Sequence, residues 1–452
     1  MIFSYLDDQF EAIGNVVGLP DDQLKVVFSW IFCIPFGFFQ KKLTNPFVRN
    51  IYGLALGLFL QYLCIKEYTY LMVFQALVVY AMAKILKKKC DWPSFFFLYS
   101  ILIAYHIHRF FDDYYGWRIG HHTVLMMILC KMTYFTFDYC DGKTEIPPLL
   151  EYLGYVFFYP SACIGPVFKI QTYIKFIYLK DQYANIPSSV KPCFQQFFYG
   201  TIYLVILQLF GPYFSPQHIF QQEWYQELNF ILKQVVWHPI IVFVQIRYLG
   251  AWKFAQAGIH ACGISYEGGK DKNGNDNFDH IITVQDSFLI EYLPMKIVAK
   301  WNRSVQNWLK DVFHARFSKM FKPQQAILLV FTVSALWHGV HPMYFISFIH
   351  FALYNDCAKF LYKAKDKFEW IPKPLRTIFC WAAGKGCVNY FGLGFNLLEM
   401  SVIHQVYSSV YYCFTIIPLI MYIFFSVTGY GQKKKSIVDQ KEKQKFKETK
   451  QE

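Results

Sequence analysis

The sequence predicts an all-α, polytopic integral membrane protein with about 10–12 transmembrane helices. Three observations predict it. Mostly apolar runs of about 20 residues, the length a helix needs to cross a bilayer, recur along the whole chain. Charged residues make up 17% of the 452, below the roughly 25% of a soluble domain. Mean hydropathy is positive, at +0.23. The excess of Phe and Tyr partly suits the aromatic belts of membrane interfaces.

The net charge of +13 sits in short loops and a tail. Positive-inside bias and attraction to anionic headgroups account for it, so the expected partner is a lipid bilayer and not nucleic acid. The twelve cysteines are dispersed without a C-x-x-C pair, and many fall in apolar runs (Cys33, Cys64, Cys130, Cys163, Cys380, Cys413). Most read as small buried hydrophobes, with no disulfide frame and no metal site.

Residues 1–24 form an acidic lead-in without the n-region and cleavage site of a signal peptide. Residues 25–428 hold the spans, the first four near 25–40, 47–65, 69–86 and 93–110. Lys84, Lys87, Lys88 and Lys89 form a basic loop after the third, a cytosolic signature. The polar stretch 105–122 carries His106, His108, His121 and His122. It lacks helix-spaced carboxylate or Cys partners, so it reads as an interfacial loop and not as a metal centre. An apolar helix carrying Lys131 follows and should end at the Asp141–Gly142 turn signal.

Within 149–178, Gly165–Pro166 must break any helix, because proline lacks the N–H and disfavours α geometry in the residue before it. Phe168, Lys169 and Tyr173 then lie at a break in apolar surroundings. Such backbone survives at membrane depth only when buried in protein or lining a cavity; a plain interfacial hinge is the other reading. Further spans are expected at 195–214 and 228–247, with an apolar stretch to about 263. The loop 268–280 is not a calcium loop: counted from Asp271, its glycine falls too early, and Ile282 stands where glutamate is needed. The last spans are expected at 346–363, 376–397 and 403–427. A Lys-rich tail, 429–452, should be disordered and cytosolic.

The segment from Trp301 to Phe345 organises the rest. A polar, tryptophan-rich helix start leads through a basic hinge into a long apolar run ending at His338–Gly339. An ionisable residue at the end of such a run is a functional candidate. A core histidine bonded to a backbone carbonyl is the structural alternative. The formal sequon Asn302-Arg303-Ser304 is flanked by tryptophans and a basic helix, so no glycan is expected.

These residues carry a resemblance. Trp301, Asn302, Trp308 and Leu309 form W-N-x-x-x-x-x-W-L, and Ser334 to Gly339 with Pro342 form S-A-L-W-H-G-x-x-P. With Gly165–Pro166, Tyr173 and the Lys131 helix, in this order over about residues 95–355, they resemble the membrane-bound O-acyltransferases. Within that family they look like the lysophospholipid acyltransferase branch. Met343–Tyr344, Phe278–Asp279 and the stretch before His121 depart from the branch's usual pattern.

The resemblance implies a fold enclosing a buried catalytic chamber in the endoplasmic reticulum membrane. It implies transfer of a fatty acyl group from acyl-CoA, a co-substrate with no cofactor, to the free hydroxyl of a lysophospholipid. A glycerol hydroxyl needs a base, the role suited to His338. Asn302 would stabilise the oxyanion or hold the acceptor. With no Ser or Cys in a nucleophile motif, direct attack is expected. Trp301, Trp308, Ser334, Trp337, Gly165, Pro166 and Tyr173 are the expected substrate-lining residues. Lys169, Lys310 and Arg316 are candidates for phosphate. Oligomeric state is left open. Transfer to a protein or sterol acceptor, or a transporter or catalytically silent subunit, are the alternatives; the sequence has no repeated halves, and a silent subunit predicts that His338 is dispensable.

Overall fold

The computed structural model describes residues 2–112, 114 and 119–429; the expected tail falls almost wholly outside them. Helix accounts for 78% of the structure and there are no strands among the described residues. The polypeptide is an all-α, multi-pass membrane protein.

The acidic lead-in forms α1 (Ile2–Val17). It is tied down where Asp7 bridges Lys25 at 2.8 Å and Lys66 at 2.6 Å. Four apolar helices follow: α2 (Asp21–Gln40), α3 (Pro46–Ile65), α4 (Tyr68–Leu86) and α5 (Asp91–Asp112). Next, α6 (His121–Cys140) is buried along almost its whole length and passes through the main core cluster. Two short helices, α7 (Leu149–Val156) and α8 (Ile170–Ile177), flank the expected break at Gly165–Pro166. α9 (Val190–Phe210) lies on the outside, and α10 (Pro216–Ile219) and α11 (Glu223–Gln226) are single turns. α12 (Phe230–Cys262) is one helix of 33 residues, its second half buried.

The C-terminal part comprises α13 (Pro294–Lys300), α14 (Arg303–Trp308), a π-helical turn over Leu309–His314 and α15 (Ala315–Met320). Then come α16 (Pro323–His338), α17 (Pro342–Lys363), α18 (Lys373–Leu397), α19 (Met400–Ser408) and α20 (Cys413–Thr428).

By length and apolarity, six described helices can cross a membrane: α2, α3, α4, α5, α9 and α12. A bent pair, α19 with α20, makes up to seven. The larger number read from sequence also includes α6, α16, α17 and α18. α16 has only 16 residues, and the others carry polar side chains such as Lys131, Asp356 and Lys385. Of these, α6 is buried along almost its whole length and α18 in its second half, where Lys385 lies, so their composition is not that of a lipid-facing span.

The structure departs from the reading in three places. The stretch 105–122 is not all loop: α5 runs on to Asp112, with His106 buried, and α6 starts at His121. The span expected at 403–427 is bent by 74° between α19 and α20. Cys380 is exposed, although most of the cysteines are buried as expected and none is paired in a disulfide among the described residues. In the loop 268–280, Asp271 Oδ1 accepts from the backbone N–H groups of Asn273 and Asn275, a side-chain-closed turn.

Candidate active site

His338 is the last residue of α16, and the chain turns away at once through Gly339. Gly339 adopts φ 151° and ψ −172°. A Cβ there would stand 2.9 Å from Tyr344 and 3.7 Å from His106. Only glycine fits both the conformation and the space. The His338 ring makes no hydrogen bond among the described residues. It is walled by aromatic rings instead: Trp337 at 4.7 Å, Phe395 at 4.8 Å, Phe348 at 5.7 Å and Tyr344 at 5.8 Å between centroids. Among the described residues no backbone carbonyl accepts a hydrogen bond from this ring.

Asn302 precedes the first turn of α14 in the left-handed region, φ 38° and ψ 51°. Asparagine tolerates this better than most residues, and such strain collects at functional sites. Two backbone bonds hold the approach: Gln285 N–H to the Lys300 carbonyl at 3.0 Å and Arg303 N–H to the Thr283 carbonyl at 2.7 Å. The Asn302 carboxamide accepts a long 3.5 Å bond from Ser304 Oγ, and its amide donors make no hydrogen bond among the described residues.

Asn302 and His338 do not touch directly among the described residues. Their helices meet through tryptophans. Trp308, fully buried, donates to Thr133 Oγ1 at 2.9 Å, and Trp337 donates to the Met126 carbonyl at 3.0 Å. Met126 and Thr133 lie two turns apart on one face of α6. Trp301 turns the other way, into a cluster with Trp252 at 4.6 Å, Phe288 at 4.7 Å and Tyr248 at 5.7 Å. Ser334 is buried in α16, one turn before His338.

Gly165 and Pro166 are buried, as expected for a break inside protein. A Cβ on Gly165 would stand 2.2 Å from Ser161 Cα, so the backbones approach too closely for any side chain. Lys131, fully buried, reaches across to this break. It donates to the carbonyls of Val156 at 3.0 Å and Tyr155 at 3.3 Å, and to Ser161 Oγ at 2.7 Å. Tyr173 is also fully buried and donates to Asn50 Oδ1 at 2.7 Å.

The cationic candidates gather past the end of α6. Lys169 pairs with Asp311 at 2.7 Å, and Arg316 pairs with Asp141 at 2.7 Å while covering the Phe137 ring. Lys310 is exposed. Burial pushes the Asp141 carboxyl up, but Lys143 and Arg316 outweigh it and hold the group below its ordinary range.

The model of the membrane-bound O-acyltransferase family matches residues 138–402, which contain both Asn302 and His338. The chain belongs to the membrane-bound O-acyltransferase family. It is an acyltransferase. It is similar to a lysophospholipid acyltransferase of Schizosaccharomyces pombe, 26% identical over 93% of this chain and 89% of that protein. It is also similar to lysophospholipid acyltransferase 2 of Arabidopsis thaliana, 24% identical over 90% of this chain and 94% of the relative. Membrane-bound glycerophospholipid O-acyltransferase 2 of Gallus gallus is 24% identical over 92% of this chain and 87% of its own.

Several features of this membrane-bound O-acyltransferase escaped the sequence. Tyr344, Phe348 and Phe395 wall the His338 ring from α17 and α18, and no local pattern ties them to it. The lysines also have partners that spacing could not supply. A clasp surrounds residues 286–291, just before α13: Lys253 of α12 pairs with Asp286 at 2.8 Å, Lys385 of α18 donates to the Leu289 carbonyl at 2.7 Å, and Lys300 of α13 pairs with Glu291. The four histidines of 105–122 are held by other partners. His106 binds the Trp337 carbonyl at 3.2 Å, His108 pairs with Asp112, His121 stacks on Tyr68 and His122 meets Arg109. An open cavity of about 510 Å³ lies elsewhere, lined by Phe214, His218, Trp224 and Pro239 among others, and includes neither Asn302 nor His338.

Proposed function

We propose that this acyltransferase moves a fatty acyl group from acyl-CoA to the free hydroxyl of a lysophospholipid, in the endoplasmic reticulum membrane and with its C-terminal tail in the cytosol. The observation that carries the reading is the His338 ring, which has no protein hydrogen-bond partner among the described residues and is set in an aromatic wall at the end of α16. The names of the similar proteins support the acceptor class.

His338 takes the proton of the acceptor hydroxyl as its oxygen attacks the thioester carbonyl carbon. The negative end of the α16 dipole favours the imidazolium that forms. The Asn302 amide, with donors to spare, stabilises the oxyanion, a contribution of roughly 3–4 kcal/mol for a preorganised donor. The carbon–sulfur bond then breaks, and the proton passes from His338 to the CoA thiolate. The aromatic wall keeps water from the thioester. Lys169, Lys310 and Arg316 serve the CoA phosphates, the first and last by exchanging Asp311 and Asp141 for phosphate oxygens.

The test uses membranes containing the full chain, labelled acyl-CoA and a panel of lysophospholipids. Wild type, His338→Ala and Asn302→Ala are compared at equal protein level. Phospholipid product that disappears with His338→Ala supports the reading. No product with any lysolipid overturns the acceptor class and points to a protein or sterol. Full activity in the histidine variant overturns the mechanism.

A further inference from the structure

A helix leaves its last carbonyls without intrahelical donors, and a buried helix end must find others. At the end of α16, the Ala335 carbonyl is closed by the Gly339 N–H at 3.0 Å. The Trp337 carbonyl has no such partner within the helix. It receives its bond from His106 of α5, whose Nε2–H donates at 3.2 Å from a side chain only 6% exposed. One turn earlier, the Val333 carbonyl receives the hydroxyl of Tyr99. Tyr99 and His106 stand seven residues apart, on one face of α5. Two side chains of one helix thus grip the backbone of another at its functional end.

The second of these bonds bears on chemistry. The Trp337 carbonyl and the His338 N–H belong to one rigid peptide plane, so fixing that carbonyl fixes the plane from which His338 hangs. From the far side, Trp337 is pinned by its indole bond to Met126. The His338 ring has no hydrogen bond to orient it among the described residues, and Gly339 after it is conformationally permissive. The direction of the His338 ring therefore depends on the aromatic rings around it and on the peptide that this bond holds. His106 also fills space beside Gly339, 3.7 Å from where a Cβ would stand.

We infer that His106 is a positioning residue for acyl transfer, a donor on α5 that holds the Trp337–His338 peptide so that the His338 imidazole faces the acceptor hydroxyl. The donation fixes the His106 tautomer, with hydrogen on Nε2. Glutamine, whose terminal amide reaches a similar point, is the replacement that preserves the bond. The inference rests on the acyl-transfer reading above.

The experiment measures kcat and KM for acyl-CoA and lysophospholipid in wild type, His106→Ala, His106→Gln, His338→Ala and the His106→Ala/His338→Ala pair, with thermal unfolding of each in one detergent. His106→Ala is expected to lower kcat by about 10²-fold at unchanged KM, the scale of a misplaced catalytic group. His106→Gln should recover most of that loss. In the His338→Ala background the alanine at 106 should change the residual rate less than about twofold, because the two act as one unit. A His106→Ala enzyme that is merely less stable, with full kcat per folded molecule, overturns the inference. So does a further loss in the His338→Ala background, or a glutamine variant as stable as wild type and as slow as alanine. A wild type without activity, or a fully active His338→Ala, fails the underlying reading instead, and the role of His106 falls with it.

Discussion

Trp308 and Trp337 lie with ring centroids 6.4 Å apart and planes at 44°, each donating its indole N–H to α6. This pair links the helix that begins after Asn302 to the helix that ends at His338. Replacing either by phenylalanine keeps most of the apolar area and removes one bond. Each change is expected to cost about 1 kcal/mol of stability and a larger factor in turnover. The double variant should lose less turnover than the two single losses multiplied, because the rings share one contact. Turnover and thermal unfolding of the three variants check this.

Gly339→Ala places a side chain at φ 151° and 2.9 Å from the Tyr344 ring. The backbone strain alone is worth about 1–3 kcal/mol. Activity should fall by about 10²-fold as the His338 end shifts. Adding Tyr344→Ala relieves the clash but not the strain, so the double variant should stay impaired. Measuring its acyl transfer distinguishes the two causes.

Lys131→Met removes a buried amine and leaves the Val156 carbonyl without its donor. Each buried carbonyl left unpaired costs about 1–3 kcal/mol. The variant should accumulate poorly and unfold at lower temperature. Gel filtration of the detergent-extracted protein, compared with wild type, reads the loss.

Lys169→Ala breaks a half-exposed ion pair with Asp311, of the kind worth about 0–1 kcal/mol. Stability should hardly change, while KM for acyl-CoA should rise at constant kcat and become less sensitive to salt. Asp311→Asn, which releases the lysine, should not raise that KM. Initial rates across acyl-CoA concentrations at two ionic strengths decide.

Asp141 sits in the turn after α6, outside the membrane-spanning helices, and its carboxyl is held below the ordinary range. A depressed carboxylate contributes stability above its unfolded pKa, and that stability is lost as pH falls through the folded value. Below about pH 4, the ordinary Asp range, wild type should therefore lose thermal stability more steeply than Asp141→Asn. Unfolding midpoints from pH 7 downwards measure the difference.

Where sequence dictates local chemistry, it was a good guide. Gly165–Pro166 had to break a helix and does so between α7 and α8. His338 stood out because an ionisable side chain ending an apolar run is expensive, and Asn302 through its place in the W-N motif; the structure places both at helix ends. The stretch 105–122 misled because its charge density resembles a loop; burial against α16 makes His106 tolerable inside a helix, and nothing nearby in sequence announces that neighbour. The number of spans was difficult for a similar reason. Helices buried in protein, α6 along its length and α18 in its second half, carry Lys131 and Lys385 that a lipid-facing helix would exclude. The aromatic wall from Phe348 and Phe395 is a property of packing between helices, and no local pattern encodes it.

The clasp on residues 286–291 has a consequence for handling the protein outside its membrane. Its three cations come from α12, α13 and α18, and their partners are two carboxylates and a carbonyl. A detergent competes for apolar surface and has nothing to offer such bonds. Salt screens buried charges weakly, and the Lys253 side chain is only 4% exposed although its partner Asp286 is 43% exposed. The strand of chain that leads to Asn302 is thus fastened independently of lipid, whereas α9 leans on its surroundings for cover. When lipid is exchanged for a micelle, the outer helices loosen first, and activity lost on extraction should return with added phospholipid.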